Sequence, residues 1–151
     1  MQEDEATLRY STAKGYIQAC KMIVLSEHYA SNIITVVLPM HMLAAFGLEL
    51  YLKAWLLRAG IKSKVVRGYG HSVEGLYVEA KRLALPEIDK LQEMKDHFAG
   101  PHSDFTYRYI SPGAEMDNTN WLLAFDVFDE LDVVVDKFIG ASVSHGLQPG
   151  H

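Results

Sequence analysis

Two charged residues interrupt the most apolar stretch of this chain: Glu49 and Lys53, four residues apart in PMHMLAAFGLELYLKAWLLRAG, Pro39 to Gly60. On an exposed helix, Glu before Lys at that spacing contributes only about 0.2–0.5 kcal/mol. In apolar surroundings the pair is costly and asks for a reason, either a pocket or dimer seam or plain structural pairing. Lys62, Lys64 and Arg67 follow in the link IKSKVVRGYG, as phosphate contacts or as a solvated basic run. His71 stands just before a helix start, where an anion would meet free backbone N–H groups, or where a histidine simply caps and packs. Tyr107, Arg108 and Tyr109 put a guanidinium between aromatic rings. Such an arginine stacks on a base or grips a phosphate, or it pins its loop to an acidic helix.

Other chemistries find less support. Glu93 and His97 share a helix face and His102 and Asp104 follow, but no recognised metal-ligand spacing is present, so neither a metal nor a cofactor is expected. Cys20, the single cysteine, lies on an apolar helix face, where a thiol is packing and not a nucleophile. There is no glycine-rich phosphate loop and no serine-nucleophile motif.

The elements that must position these residues read as helices. The 151 residues suffice for one domain with its own core. The predicted divisions are a flexible acidic N-terminus over 1–10, one helical domain over 11–140 and a loose tail over 141–151. A first helix is predicted from Ser11 to Tyr29, with Ala13, Tyr16, Ile17, Cys20, Ile23 and Val24 inward and Lys14, Gln18 and Lys21 outward. Pro39 opens the second, central helix, which closes at Gly60 and is apolar nearly all round. Ser72 caps a third, bearing Val73, Leu76, Tyr77, Ala80 and Leu83 on one face. Pro86 opens a short fourth with Ile88, Leu91, Met94 and Phe98. Ala99 to Asn118 reads as a long irregular stretch of the kind that often carries function. The last helix, Thr119 to Gly140, places Trp121, Phe125, Phe128, Leu131, Val135 and Phe138 inward and Asp126, Asp129, Glu130 and Asp136 outward.

A formal net charge of −5 argues against broad nucleic-acid binding by the whole surface. The charge is uneven, however: seven basic residues face two acidic ones between Lys53 and Arg82, while Glu115 to Asp136 holds seven acidic residues and no basic one. Tyr29 to Leu48 has no Asp, Glu, Lys or Arg and is long enough to span a bilayer, but Ser31, Asn32, Thr35, Pro39 and His41 interrupt it. A soluble, cytoplasmic protein without membrane contact is the expectation.

The fold class expected is therefore all-α, an antiparallel helical bundle. Within it, GLELYLKAWLLRAG, then a basic link, then GHSVEGLY, then YRY before the last helix resemble small stand-alone HEPN-like proteins, over about Phe46 to Phe138. That resemblance implies four long helices plus a short one and frequently a homodimer. It also implies binding or cleavage of RNA, binding of a nucleotide, and a place in a toxin–antitoxin or defence system. The ribonuclease members carry an Arg and a His separated by four to six residues. Here Arg67 and His71 have three residues between them, and no other arginine has a histidine in that window.

The leading expectation is thus a non-catalytic module taking RNA, a nucleotide or a protein partner. The rivals are a divergent metal-independent ribonuclease using His71, His102 and Arg108, and a purely protein-binding, antitoxin-like subunit. A single pocket is predicted, lined by Arg67, His71 and Arg108, with Glu49 and Lys53 at its base as the resemblance suggests. The competing arrangement has Arg108 paired with carboxylates of the last helix, far from His71.

Overall fold

A computed structural model describes residues 4–108, 118–141 and 148–150. Among them are seven helices and no strand: α1 Glu5–Val24, α2 Glu27–Ser31, α3 Ile33–Arg58, α4 Ser63–Gly68, α5 Val73–Arg82, α6 Leu91–Ser103 and α7 Trp121–Ile139. The all-α class holds, with seven helices where five were predicted. The central helix α3 touches α1, α5, α6 and α7, so its apolar circumference is covered by several neighbours at once.

The first helix starts earlier than its apolar spacing indicates. Asp4 caps it by accepting from the Thr7 N–H at 2.9 Å, Glu5 complements the positive end, and Ala6 and Tyr10 are buried. The segment 4–10, predicted as a flexible end, is a packed helical turn. Lys14, predicted outward, is buried because α7 offers it Asp132 at 2.9 Å. Past Val24 the chain breaks and restarts as the short α2.

Pro39 lies inside α3, as its seventh residue counting from Ile33. A proline there deprives the Thr35 carbonyl of its helical donor. Thr35 and Pro39 are both exposed, so that carbonyl is open to solvent and the helix continues. Among the described residues α3 alone is long and apolar enough to cross a membrane. From Met40 to Leu56 most of its residues are buried against the neighbouring helices.

Three more boundaries matter for the site. The basic link folds into α4. Ser72 caps α5 as predicted, accepting from the Gly75 N–H at 3.1 Å, and Val73, Leu76, Tyr77 and Ala80 are buried. The helix expected from Pro86 begins at Leu91 instead and runs on through Pro101 to Ser103, so His102 is helical and not in a loop.

The inward face of α7 is rotated from the predicted one. Trp121, Phe128, Leu131 and Val135 are buried as expected, but Asp132 and Asp136 are buried too, and Phe138 is 40% exposed. Polar groups of α1 and α3 draw the two aspartates in, while Phe138 lies on Trp55 at the surface, ring centroids 4.3 Å apart.

Candidate functional site

Glu49 sits mid-way along α3 and is 2% exposed. A carboxylate removed from water in this way needs several donors. Lys53, one turn on, donates to Oε1 at 2.6 Å. The His71 Nδ1 and the His102 Nε2 both lie on the other oxygen, Oε2, at 3.1 and 2.5 Å. Burial pushes the Glu49 carboxyl up, but hydrogen bonds from His102, Lys53 and His71 outweigh it and bring it down to about 2. Glu49 is therefore ionised and accepts only, so each imidazole turns an N–H toward it.

Three separate elements bring these groups together. His71 occupies the turn before α5, held there by the Ser72 cap. His102 comes from the last turn of α6. Phe46, one turn before Glu49 on α3, meets both rings edge to face, at 4.6 Å from His102 and 5.5 Å from His71. The two imidazole centroids are 5.5 Å apart. Arg108 lies over Phe46 at 4.9 Å and over Phe105 at 5.1 Å, and Phe105 in turn reaches His71 at 5.7 Å.

The group opens to solvent on one side only. The His71 side chain is 36% exposed, against 3% for His102 and 12% for Lys53. Arg108 and Phe105 are exposed beside it. Phe105 has φ of 65°, a left-handed conformation that is costly for a bulky side chain. Residues held in that region cluster at binding and catalytic sites. The turn carrying it is fastened by the Thr106 N–H, which donates to Asp104 Oδ1 at 3.0 Å, and by the Arg108 N–H, which donates to the Phe105 carbonyl at 2.9 Å.

Five of the residues singled out in the sequence thus meet: Glu49, Lys53, His71, His102 and Arg108. Arg108 stacks on aromatic rings and makes no ion pair among the described residues, so neither the predicted three-cation pocket nor the competing pairing with α7 is found. Arg67 is the member that departs. Once the link folds as α4, Arg67 lies one turn from Ser63 and donates to its Oγ at 3.0 Å, while that hydroxyl donates to Glu5 at 3.0 Å. Lys62 and Lys64 are exposed around the same short helix and make no contact with the Glu49 group. Tyr107 is buried, its ring 5.4 Å from that of His41, and burial pushes its hydroxyl up. Tyr109 lies outside the described residues.

The metal-ligand grouping weighed in the sequence does not form either. His97 donates from Nε2 to the Thr119 hydroxyl at 2.7 Å, and Thr119 bonds the His41 Nε2 at 2.8 Å. The His41 Nδ1 meets the Val37 carbonyl at 2.7 Å, which fixes the direction of this relay. His102 instead joins Glu49 and His71, whose potential ligand atoms all lie within 4.8 Å of one another.

Phe46 and Phe105 are the members that sequence reasoning missed. Phe46 reads as one more core residue of an apolar helix, and Phe105 as filling in an irregular stretch. The available signal was the spacing of Phe105 and Arg108, one turn apart. Compared with known protein families, with curated proteins and with solved structures, the chain matches none.

Proposed function

We propose that this chain is a cytoplasmic, HEPN-like helical module that binds RNA or a nucleotide at the open side of the Glu49 site. The observation that carries the reading is Arg108 held between Phe46 and Phe105 next to the half-exposed His71. A guanidinium fixed by stacking keeps its N–H fork free for a phosphate. An exposed phenyl ring 5.1 Å away offers a face for a base. The order of elements adds support: an apolar helix with Glu49 and Lys53, a basic segment, the His71–Ser72 helix start and a final amphipathic helix all follow the HEPN-like pattern.

The test is binding of a fluorescent single-stranded RNA oligonucleotide, and of nucleotides in competition, in buffer containing EDTA. Arg108→Glu should weaken binding roughly tenfold or more, and Phe105→Ala should cost about 1–3 kcal/mol per stacked base. Affinity should fall steeply with salt. Binding that ignores both substitutions places any nucleic acid elsewhere and ends this reading.

A second reading, a divergent ribonuclease independent of metal, is favoured by the two imidazoles sharing one carboxylate. Glu49 orients His71, whose exposed ring edge can take a proton from a 2′-hydroxyl, while Arg108 steadies the phosphate. Cleavage of mixed RNA that persists in EDTA and disappears in His71→Ala supports it. Intact RNA leaves the binding module.

Dimerisation belongs to the same proposal. Met22 and Leu25 at the end of α1 and Ile34 at the start of α3 are 71%, 87% and 82% exposed, an apolar group that a second copy would cover. Sedimentation at micromolar concentration should report a dimer, and Leu25→Glu with Ile34→Glu a monomer.

A further inference from the structure

We infer that Glu49, His71 and His102 form a binding site for one divalent transition-metal ion, zinc by the type of its donors. Two imidazole nitrogens and one carboxylate oxygen are the ligand set of open zinc sites, in which a fourth position is left to water or substrate. The three residues come from α3, from the turn before α5 and from α6, and Phe46 packs both rings in place, so the donors are held before any ion arrives.

The distances fit an ion with small adjustments. Tetrahedral zinc with bonds of about 2.0–2.2 Å sets its donor atoms roughly 3.3 Å apart. Glu49 Oε2 stands 3.1 Å from His71 Nδ1 and 2.5 Å from His102 Nε2, and no donor pair exceeds 4.8 Å. An ion at the centre needs Oε2 to draw back from His102 by less than about 1 Å, and the two imidazole nitrogens to come within roughly 3.3 Å of each other, which the half-exposed His71 ring can do by turning. Each imidazole then presents a lone pair to the ion and carries its proton on the other ring nitrogen.

Lys53 has a defined part in this arrangement. It occupies Oε1 at 2.6 Å, which fixes the carboxylate and leaves Oε2 to the ion, as outer partners of metal ligands commonly do. Its positive charge opposes a cation, which lowers the expected affinity. The fourth position faces the open side, toward the exposed edge of His71, and Arg108 and Phe105 border it.

This inference does not depend on RNA binding, and the two are separated by experiment. The chain is stripped with EDTA, dialysed free of it, and titrated without nucleic acid, with Zn2+ by calorimetry and with Co2+ by visible absorption. One equivalent should bind, and Co2+ should develop d–d bands of a low-coordinate nitrogen and oxygen site. His71→Ala should lower affinity roughly tenfold or more, since even outer partners of ligands are worth that much. His97→Ala should leave it unchanged. His102→Ala opens a hole in the interior, so the half-exposed His71 carries the test, with circular dichroism confirming that the variant is folded. Absence of saturable binding overturns the site, and the group is then a buried ion pair only. Binding that His71→Ala leaves unchanged overturns it equally, by placing the ion at other histidines.

Discussion

Two buried carboxylates divide the interior of this protein between them, and their surroundings are opposite in kind. Asp132 of α7 is met by Lys14 at 2.9 Å, by the Tyr51 hydroxyl at 2.7 Å and by the Gly150 N–H at 2.7 Å, while Lys14 also donates to the Gln148 carbonyl at 2.7 Å. The Lys14 and Asp132 side chains are 5% and 4% exposed. Glu49 is as deeply placed, yet two of its three donors are imidazoles and one of those reaches solvent. The Asp132 group is closed, with its lysine and its carboxylate both shut off from solvent. The Glu49 group is open on one side, where the His71 ring reaches solvent. Depth alone therefore does not mark a site. What marks it is a buried charge whose partners are both accessible and able to exchange a proton or an ion.

The sharpest way to break this comparison is to remove one partner from each group. Lys14→Ala leaves Asp132 charged and without its cation in a closed interior, and should cost about 3–5 kcal/mol in urea denaturation. If the loss is below about 1 kcal/mol, water reaches Asp132 and the contrast disappears. Phe128→Ala, a fully buried ring of the core, supplies the scale for pure packing, at about 3–5 kcal/mol. Tyr51→Phe should cost about 1–3 kcal/mol by leaving one Asp132 oxygen short of a donor. His71→Ala, at the open group, should change stability by less than about 1 kcal/mol while weakening binding at the site roughly tenfold or more. A large destabilisation there would reassign Glu49 to structure. The smallest effect expected is at Cys20, whose thiol burial pushes up to about 12 and which donates to the Met40 carbonyl. It should stay unmodified by iodoacetamide in the folded protein.

Which parts were legible in the sequence follows from where their causes lie. The Ser72 cap, the inward face of α5 and the pairing of Glu49 with Lys53 are local, set by residues three and four apart, and the sequence displays them. Lys14 is not legible in that way. Periodicity puts a lysine outside, and only Asp132, 118 positions further on, draws it in. His102 was assigned to a loop because Gly100 and Pro101 precede it, two residues that usually end a helix. At the end of α6 the proline is tolerated, and the extra turn is what delivers His102 to Glu49. Pro39 misleads similarly, since it marks a helix start in isolation but here falls on an exposed strip of a longer helix. Arg67 fails for another reason: no helix was predicted in the link, and its folding into α4 turns the side chain to Ser63.

Gly47 has a bearing on how such a site can diversify between lineages. A Cβ there would come within 2.5 Å of the Ile17 Cδ1, so α1 and α3 touch where the glycine leaves room. Two residues along a helix is a rotation of about 200°, which sets Gly47 on the side of α3 away from Glu49. Sliding or turning α3 to move the carboxylate would break this contact on the far face, so the height of Glu49 is inherited with the scaffold. Novelty must come from the other contributors, the turn bearing His71 and the segment from His102 to Arg108. There, Phe105 and Arg108 are exposed and His71 is half-exposed, so substitutions at these positions leave the seam between α1 and α3 undisturbed.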